Sequence, residues 1–245
     1  MYLIMDRRKP DNAIVSIPYL STLSYTNMDL FGNSTDWAEK LKPILTKYKE
    51  RKHPLDHRNL YQLLVMVVLS AQDSDIHINK IAPTLFEEFP TMESLAASNF
   101  DALFPYISTV RNFGNKAKWL LEIAQTVKKD ENIPLTMDGL DALKGIGRKS
   151  ANVILREAKV PAEGIIADLH VIRVAPRIGL IQETKDGIKA EKQLMQVLPR
   201  DIWNDIGMAL SFLGREICRP QPKCEVCPIN DICEYYKTIF KKEVI

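Results

Sequence analysis

The stretch that decides the fold is "TMDGLDALKGIGRKSANVILREA", Thr136 to Ala158. Leu140 and Leu143 fall on one face of a short helix. Ala151, Ile154, Leu155 and Ala158 repeat at the i, i+3, i+4, i+7 spacing of a second helix. Between them the run from Lys144 to Gly147 is too short for anything but a tight turn. Gly145 and Gly147 give that turn backbone freedom and let another chain come close, with Ile146 between them. The turn opens into a helix N-terminus, whose unpaired N–H groups and partial positive charge attract phosphate. Arg148 and Lys149 add cationic side chains at the same place. Two readings stay open from these residues alone: an anion-binding hairpin, or a helical corner whose glycines serve packing.

Outward from this hairpin the pattern remains helical. In "STDWAEKLKPILTKYKERKHP", Asp36 and Glu39 resemble a capping box, and Trp37, Leu41, Ile44, Leu45 and Tyr48 form an apolar stripe. Pro43 is expected to kink or delay that helix, and Pro54 to stop it. "LYQLLVMVVLSAQ" is apolar nearly all round and reads as a buried central helix. Further amphipathic stretches follow, and none alternates like a bounded strand, so the expected class is all-α. The first thirty or so residues show no helical period.

Of the 245 residues 46% are hydrophobic and 26% charged, as in an ordinary globular chain large enough for a sizeable core. No apolar run reaches the roughly 18–20 residues needed to span a bilayer. Asp6, Arg7 and Arg8 break the opening segment too early for a secretory signal, so a cytoplasmic location is expected, and no membrane partner. A net charge of +2 is too mild to announce a nucleic-acid binder, so any DNA contact must rest on local charge.

The only cysteines crowd into "CRPQPKCEVCPINDIC" as Cys218, Cys224, Cys227 and Cys233, separated by five, two and five residues. In a reducing compartment such a set reads as a metal site rather than as disulfides. Zinc accepts four thiolates, though its structural sites usually pair two tight hooks. A [4Fe-4S] cluster takes four thiolates from wider loops. Pro220, Pro222 and Pro228 stiffen a segment too short for its own core.

With "LLVMVVLSAQDSD", "LKGIGRKSANVIL", "IIADLHVIRV" and the cysteine loop in this order, the chain resembles the endonuclease III family over roughly residues 34–237. These are helix-hairpin-helix DNA glycosylases of base-excision repair. The resemblance implies two helical domains and a C-terminal [4Fe-4S] loop. Residues 56–161 would form the domain carrying the hairpin. Residues 34–55 plus 162–245 would form a discontinuous cluster domain, after an N-terminal extension over 1–33. Double-stranded damaged DNA would bind across the cleft, to a monomer associated with the nucleoid.

The same resemblance implies roles for single residues. Lys149 matches the family's nucleophile, which attacks C1′ and forms a Schiff base, and Asp168 matches its active-site aspartate at a helix N-cap position. Gln72 matches a residue that fills the gap left by an extruded base, and Asn112 falls where a second such wedge is expected. Gly145, Ile146, Gly147 and Arg148 would meet DNA at the hairpin, and Arg219 and Lys223 from the first cysteine loop. His170 is expected to be structural. The chain departs from the family pattern at Arg111 and Asn112, which replace glycine and a bulky apolar residue, and at Leu169, which replaces a small hydroxyl. Its first cysteine gap is one residue short. The implied activity is removal of oxidised pyrimidines followed by β-elimination at the abasic site. The alternatives are a same-fold glycosylase for mismatched or deaminated bases, and a non-catalytic zinc-containing DNA-binding module.

Overall fold

The computed structural model describes residues 36–242, so the expected extension over 1–33 lies outside the described residues. Among those residues the chain is helical throughout, with no strand. Helix α1 (Trp37–Tyr48) is capped by Asp36, whose carboxylate accepts the Glu39 N–H at 3.1 Å. Glu39 turns toward Lys42 instead of completing the expected box. Pro43 neither delays nor ends this helix, which continues through it to Tyr48.

Helix α2 (Leu60–Ser70) starts at Asn59, whose side chain accepts the Gln62 N–H. Every residue from Leu63 to Leu69 is buried, as a helix apolar on all sides must be. It stops two residues short of Gln72, which adopts a left-handed backbone at φ 60°. Then follow α3 (Asp75–Glu88), α4 (Met92–Ala96), α5 (Phe100–Ile107), α6 (Phe113–Val127), α7 (Met137–Asp141) and α8 (Arg148–Glu157). The chain closes with α9 (Leu169–Ile178), α10 (Gly187–Val197), α11 (Trp203–Glu216) and α12 (Glu234–Lys242).

Packing sorts these helices. α3, α6 and α8 lie against α2, α4 and α5 lie against α6, and α7 pairs with α8. α11 packs on α9 and on α1, α12 lies on α9, and α10 reaches both α8 and α9. Tyr48 of α1 stacks on Phe212 of α11 with ring centroids 5.7 Å apart, and its hydroxyl donates to Glu216. The start of the described chain is thereby fastened to its C-terminal third. The buried apolar side chains form one continuous cluster from Leu41 to Ile229.

Candidate active site

The α7–α8 corner is the hairpin expected from the sequence. Thr136 caps α7, and Gly147 stands at the N-cap of α8 with no side chain to occupy its first N–H groups. The two glycines do different work. Gly145 takes φ +83°, and a Cβ there would lie 2.7 Å from the Trp119 ring. Gly147 has an ordinary negative φ, and nothing comes within 4 Å of where its Cβ would stand. Conformation and packing thus demand glycine at 145, while 147 is simply bare. Ile146 is buried in the core, so only its backbone can face a ligand.

Arg148 does not stand free at this corner. Its Nε donates to Glu191 Oε2 of α10 at 2.7 Å, and Glu191 Oε1 accepts from Asn152 Nδ2 at 2.8 Å. Glu191 is only 2% exposed, so this guanidinium neutralises a buried carboxylate and pins the hairpin onto α10. Lys149, the next residue, is exposed and makes no hydrogen bond or ion pair with the described residues. Its side chain borders a cavity of about 390 Å³, counted with its open mouth.

The same cavity is lined by Asp168, the N-cap of α9. One carboxylate oxygen accepts the N–H groups of His170 and Val171 at 2.8 and 2.9 Å. The other accepts the Ser211 hydroxyl at 2.6 Å and lies 4.0 Å from Arg215, whose NH1 donates to Asp75 at 2.9 Å. The carboxylate is thus oriented by a helix N-terminus, a hydroxyl and a guanidinium. Sequence reading missed Asp75, Ser211, Arg215 and His53, which line the same cavity. Asp75 stood inside the quoted "LSAQDSD"; the other three had no local signal. His53 Nδ1 accepts the Leu55 N–H, and burial pulls its pKa down to about 4. His170 is held below the ordinary histidine range by burial, and its Nδ1 accepts from Arg173. That arrangement is structural. Leu169 is 80% exposed, beside the aspartate.

Gln72 and Asn112 occupy the α2–α3 and α5–α6 turns. Both are exposed, and both take left-handed backbones, at φ 60° and 58°. An unpaired lysine and an oriented carboxylate on one cavity are a pair that can make and resolve an imine with an electrophilic carbon.

The four cysteines line one cavity of about 360 Å³, walled otherwise mostly by apolar side chains such as Val174, Ile178, Leu213 and Ile229. None of the four is paired in a disulfide. Among the described residues no three of them are gathered closely enough to hold a single metal ion. Burial raises Cys224 and Cys233 and pushes Cys227 up to about 11; backbone N–H groups partly offset it at Cys227 and Cys233, and the neighbouring thiols add to it. A cationic group filling the space would draw off those protons. The four thiols around this one space are a donor set that would fit a thiolate-bound metal centre. Arg177 fastens the first loop, donating to the Arg219 carbonyl at 2.7 Å and the Pro220 carbonyl at 3.2 Å. Arg219 and Lys223 are exposed there.

Residues 65–200 match the family model described as "HhH-GPD superfamily base excision DNA repair protein". The chain is 34% identical over 200 residues to endonuclease III of Synechocystis sp., covering 80% of this chain and 91% of that one. Its fold is similar to a solved non-covalent endonuclease III–DNA complex, with TM-score 0.73 and 32% identity. That match covers 83% of this chain and 96% of the other. A trapped covalent endonuclease III–DNA intermediate is similar at the same TM-score and 31% identity.

Proposed function

The chain belongs to the endonuclease III family, within the HhH-GPD superfamily, and from that premise we propose how its residues carry out the reaction. It is a base-excision-repair DNA glycosylase that also cleaves at abasic sites. Its substrates are oxidised pyrimidines in duplex DNA. The target nucleotide leaves the base stack, and Gln72 and Asn112 fill the gap, offsetting part of an unstacking cost of a few kcal/mol. The Lys149 amine attacks C1′ while the glycosidic bond breaks, and the base departs with the bonding pair and takes up a proton. Loss of a proton from the nitrogen and opening of the sugar leave a Schiff base. Removal of the C2′ proton then eliminates the 3′ phosphate. Asp168 stabilises positive charge developing on the sugar and orients the amine.

One observation supports this assignment above the rest: Lys149 is unpaired and borders the same cavity as the oriented Asp168. The hairpin glycines and the uncapped start of α8 would receive a phosphate, and Arg219 and Lys223 would reach others. Cys218, Cys224, Cys227 and Cys233 would hold a [4Fe-4S] cluster that cross-links the C-terminal loop. Two helical units, 56–161 and 34–55 with 162–245, would embrace the cavity; the seating of α1 on α11 supports that division.

Borohydride trapping on thymine-glycol and abasic duplexes tests the nucleophile. Wild-type protein is expected to form a covalent complex, and Lys149→Gln to form none while still binding DNA. A trapped adduct that survives in Lys149→Gln would remove this lysine from the chemistry.

A further inference from the structure

The turns that carry Gln72 and Asn112 are bolted to each other by side chains that have no part in the chemistry above. Asp73, next to Gln72, has a side chain only 12% exposed. Its Oδ2 accepts the backbone N–H of Arg111 at 3.0 Å, directly before Asn112. Its Oδ1 accepts the Ser74 N–H at 2.8 Å and meets His77 Nδ1 at 2.9 Å. The other nitrogen of that ring lies 3.1 Å from the Thr109 hydroxyl, again on the second turn. Burial opposes the charge on Asp73, but the Arg111, His77 and Ser74 contacts outweigh it and hold the carboxyl below the ordinary aspartate range.

A second fastener runs the opposite way. Lys116, on the first turn of α6, is 1% exposed. Its ammonium donates to the carbonyls of Leu69 and Ala71 at 2.7 and 2.6 Å, at the end of α2. Each turn thus sends a charged group into the backbone of the other. Both hold a non-glycine residue in the left-handed region, which a side chain such as that of Gln72 keeps only when the surroundings impose it.

We infer that Asp73, through Arg111 and His77, is a positioning residue that presets the spacing of the two gap-filling turns before DNA arrives. Ordering two loops during insertion would otherwise subtract from the energy available for extruding the base. The inference rests on Gln72 and Asn112 entering the duplex.

Such a device matters when a base must be extruded and little when none is present. Single-turnover base excision from a thymine-glycol duplex and strand cleavage at a preformed abasic site should therefore respond differently. Asp73→Ala is expected to slow excision about tenfold and to change abasic-site cleavage less than about twofold. Asp73→Asn, which keeps an acceptor for the Arg111 N–H, should restore most of the excision rate. His77→Leu cuts the same bridge from the other side and should reproduce the split if Asp73→Ala does not fold. Equal losses in both assays, or no loss in either, overturn the inference. Gln72→Ala and Asn112→Ala run alongside. If those two slow excision while Asp73→Ala and His77→Leu do not, the clamp fails and the gap-filling assignment stands. If the clamp variants alone slow it, the gap-filling assignment fails, and the inference that rests on it is overturned as well.

Discussion

Asp168 does two jobs at one carboxylate, and substitution can separate them. Asparagine caps helices as well as aspartate does, so Asp168→Asn should keep α9 and its thermal midpoint while excision falls about 100-fold or more. Asp168→Ala should lose the same activity and a further ~1 kcal/mol of stability in denaturant titration. His53 gives a second residue-scale expectation. Its folded pKa of about 4 lies below the unfolded 6.5, so the unfolded chain binds more protons between those values. Its contribution is present above pH 6.5 and is lost as pH falls toward 4. Melting curves of His53→Gln should accordingly lose part of the wild-type slope across that window. Lys149 at a helix start and Asp168 at an N-cap were placed by short local patterns, while the roles expected of them came from the family resemblance. Asp168 owes its orientation to Ser211, 43 residues away, and Arg215 joins Asp75 across 140 residues. No window of sequence contains both ends of such a pair.

Among the elements, the hairpin offers the cleanest contrast. Gly145→Ala forces a side chain into a left-handed backbone and against Trp119, and should cost about 1–2 kcal/mol of stability. Gly147→Ala meets no protein atom at a normal φ, so its melting temperature should hold. Its methyl would point where a phosphate approaches, and DNA affinity measured by anisotropy should fall. The reverse pattern would make 147 the structural glycine and remove the bare-backbone argument for anion binding. Helices were readable from apolar spacing, as Ala151, Ile154 and Leu155 show by being buried as expected. Ends were less so. α2 stops at Ser70 rather than running to Gln72, and the ammonium of Lys116 takes up the carbonyls of Leu69 and Ala71 that this helix end leaves open. That lysine belongs to another helix.

For the whole molecule, a net charge of +2 means that DNA affinity depends on where cations are free. Arg148 is spent on Glu191, whereas Arg219 and Lys223 stand exposed on the cysteine loop. Lys223→Ala should weaken binding uniformly and reduce the salt slope of log K by about 1, because one phosphate fewer is neutralised. Arg148→Ala should instead lower thermal stability, since it strands a buried carboxylate. Protein purified without oxygen should absorb broadly near ~400 nm, and Cys227→Ser should lose that band and the rigidity of the loop. A colourless protein with one zinc per chain would reverse the assignment of the thiols.

Local rules were enough to fix the helical class, the glycine turn at 144–147, the four thiols near the C-terminus and the place of Lys149 in the first turn of α8. Periodicity, turn geometry and ligand spacing act over a few neighbouring residues, so they are written in the order of the chain. Tertiary structure alone decided that Arg148 is the counter-ion of a buried carboxylate, that Ile146 is core, and that Lys149 and Asp168 border one cavity. A charge finds its partner only when distant helices pack, and the packing of α1, α9 and α11 is a property of the whole core.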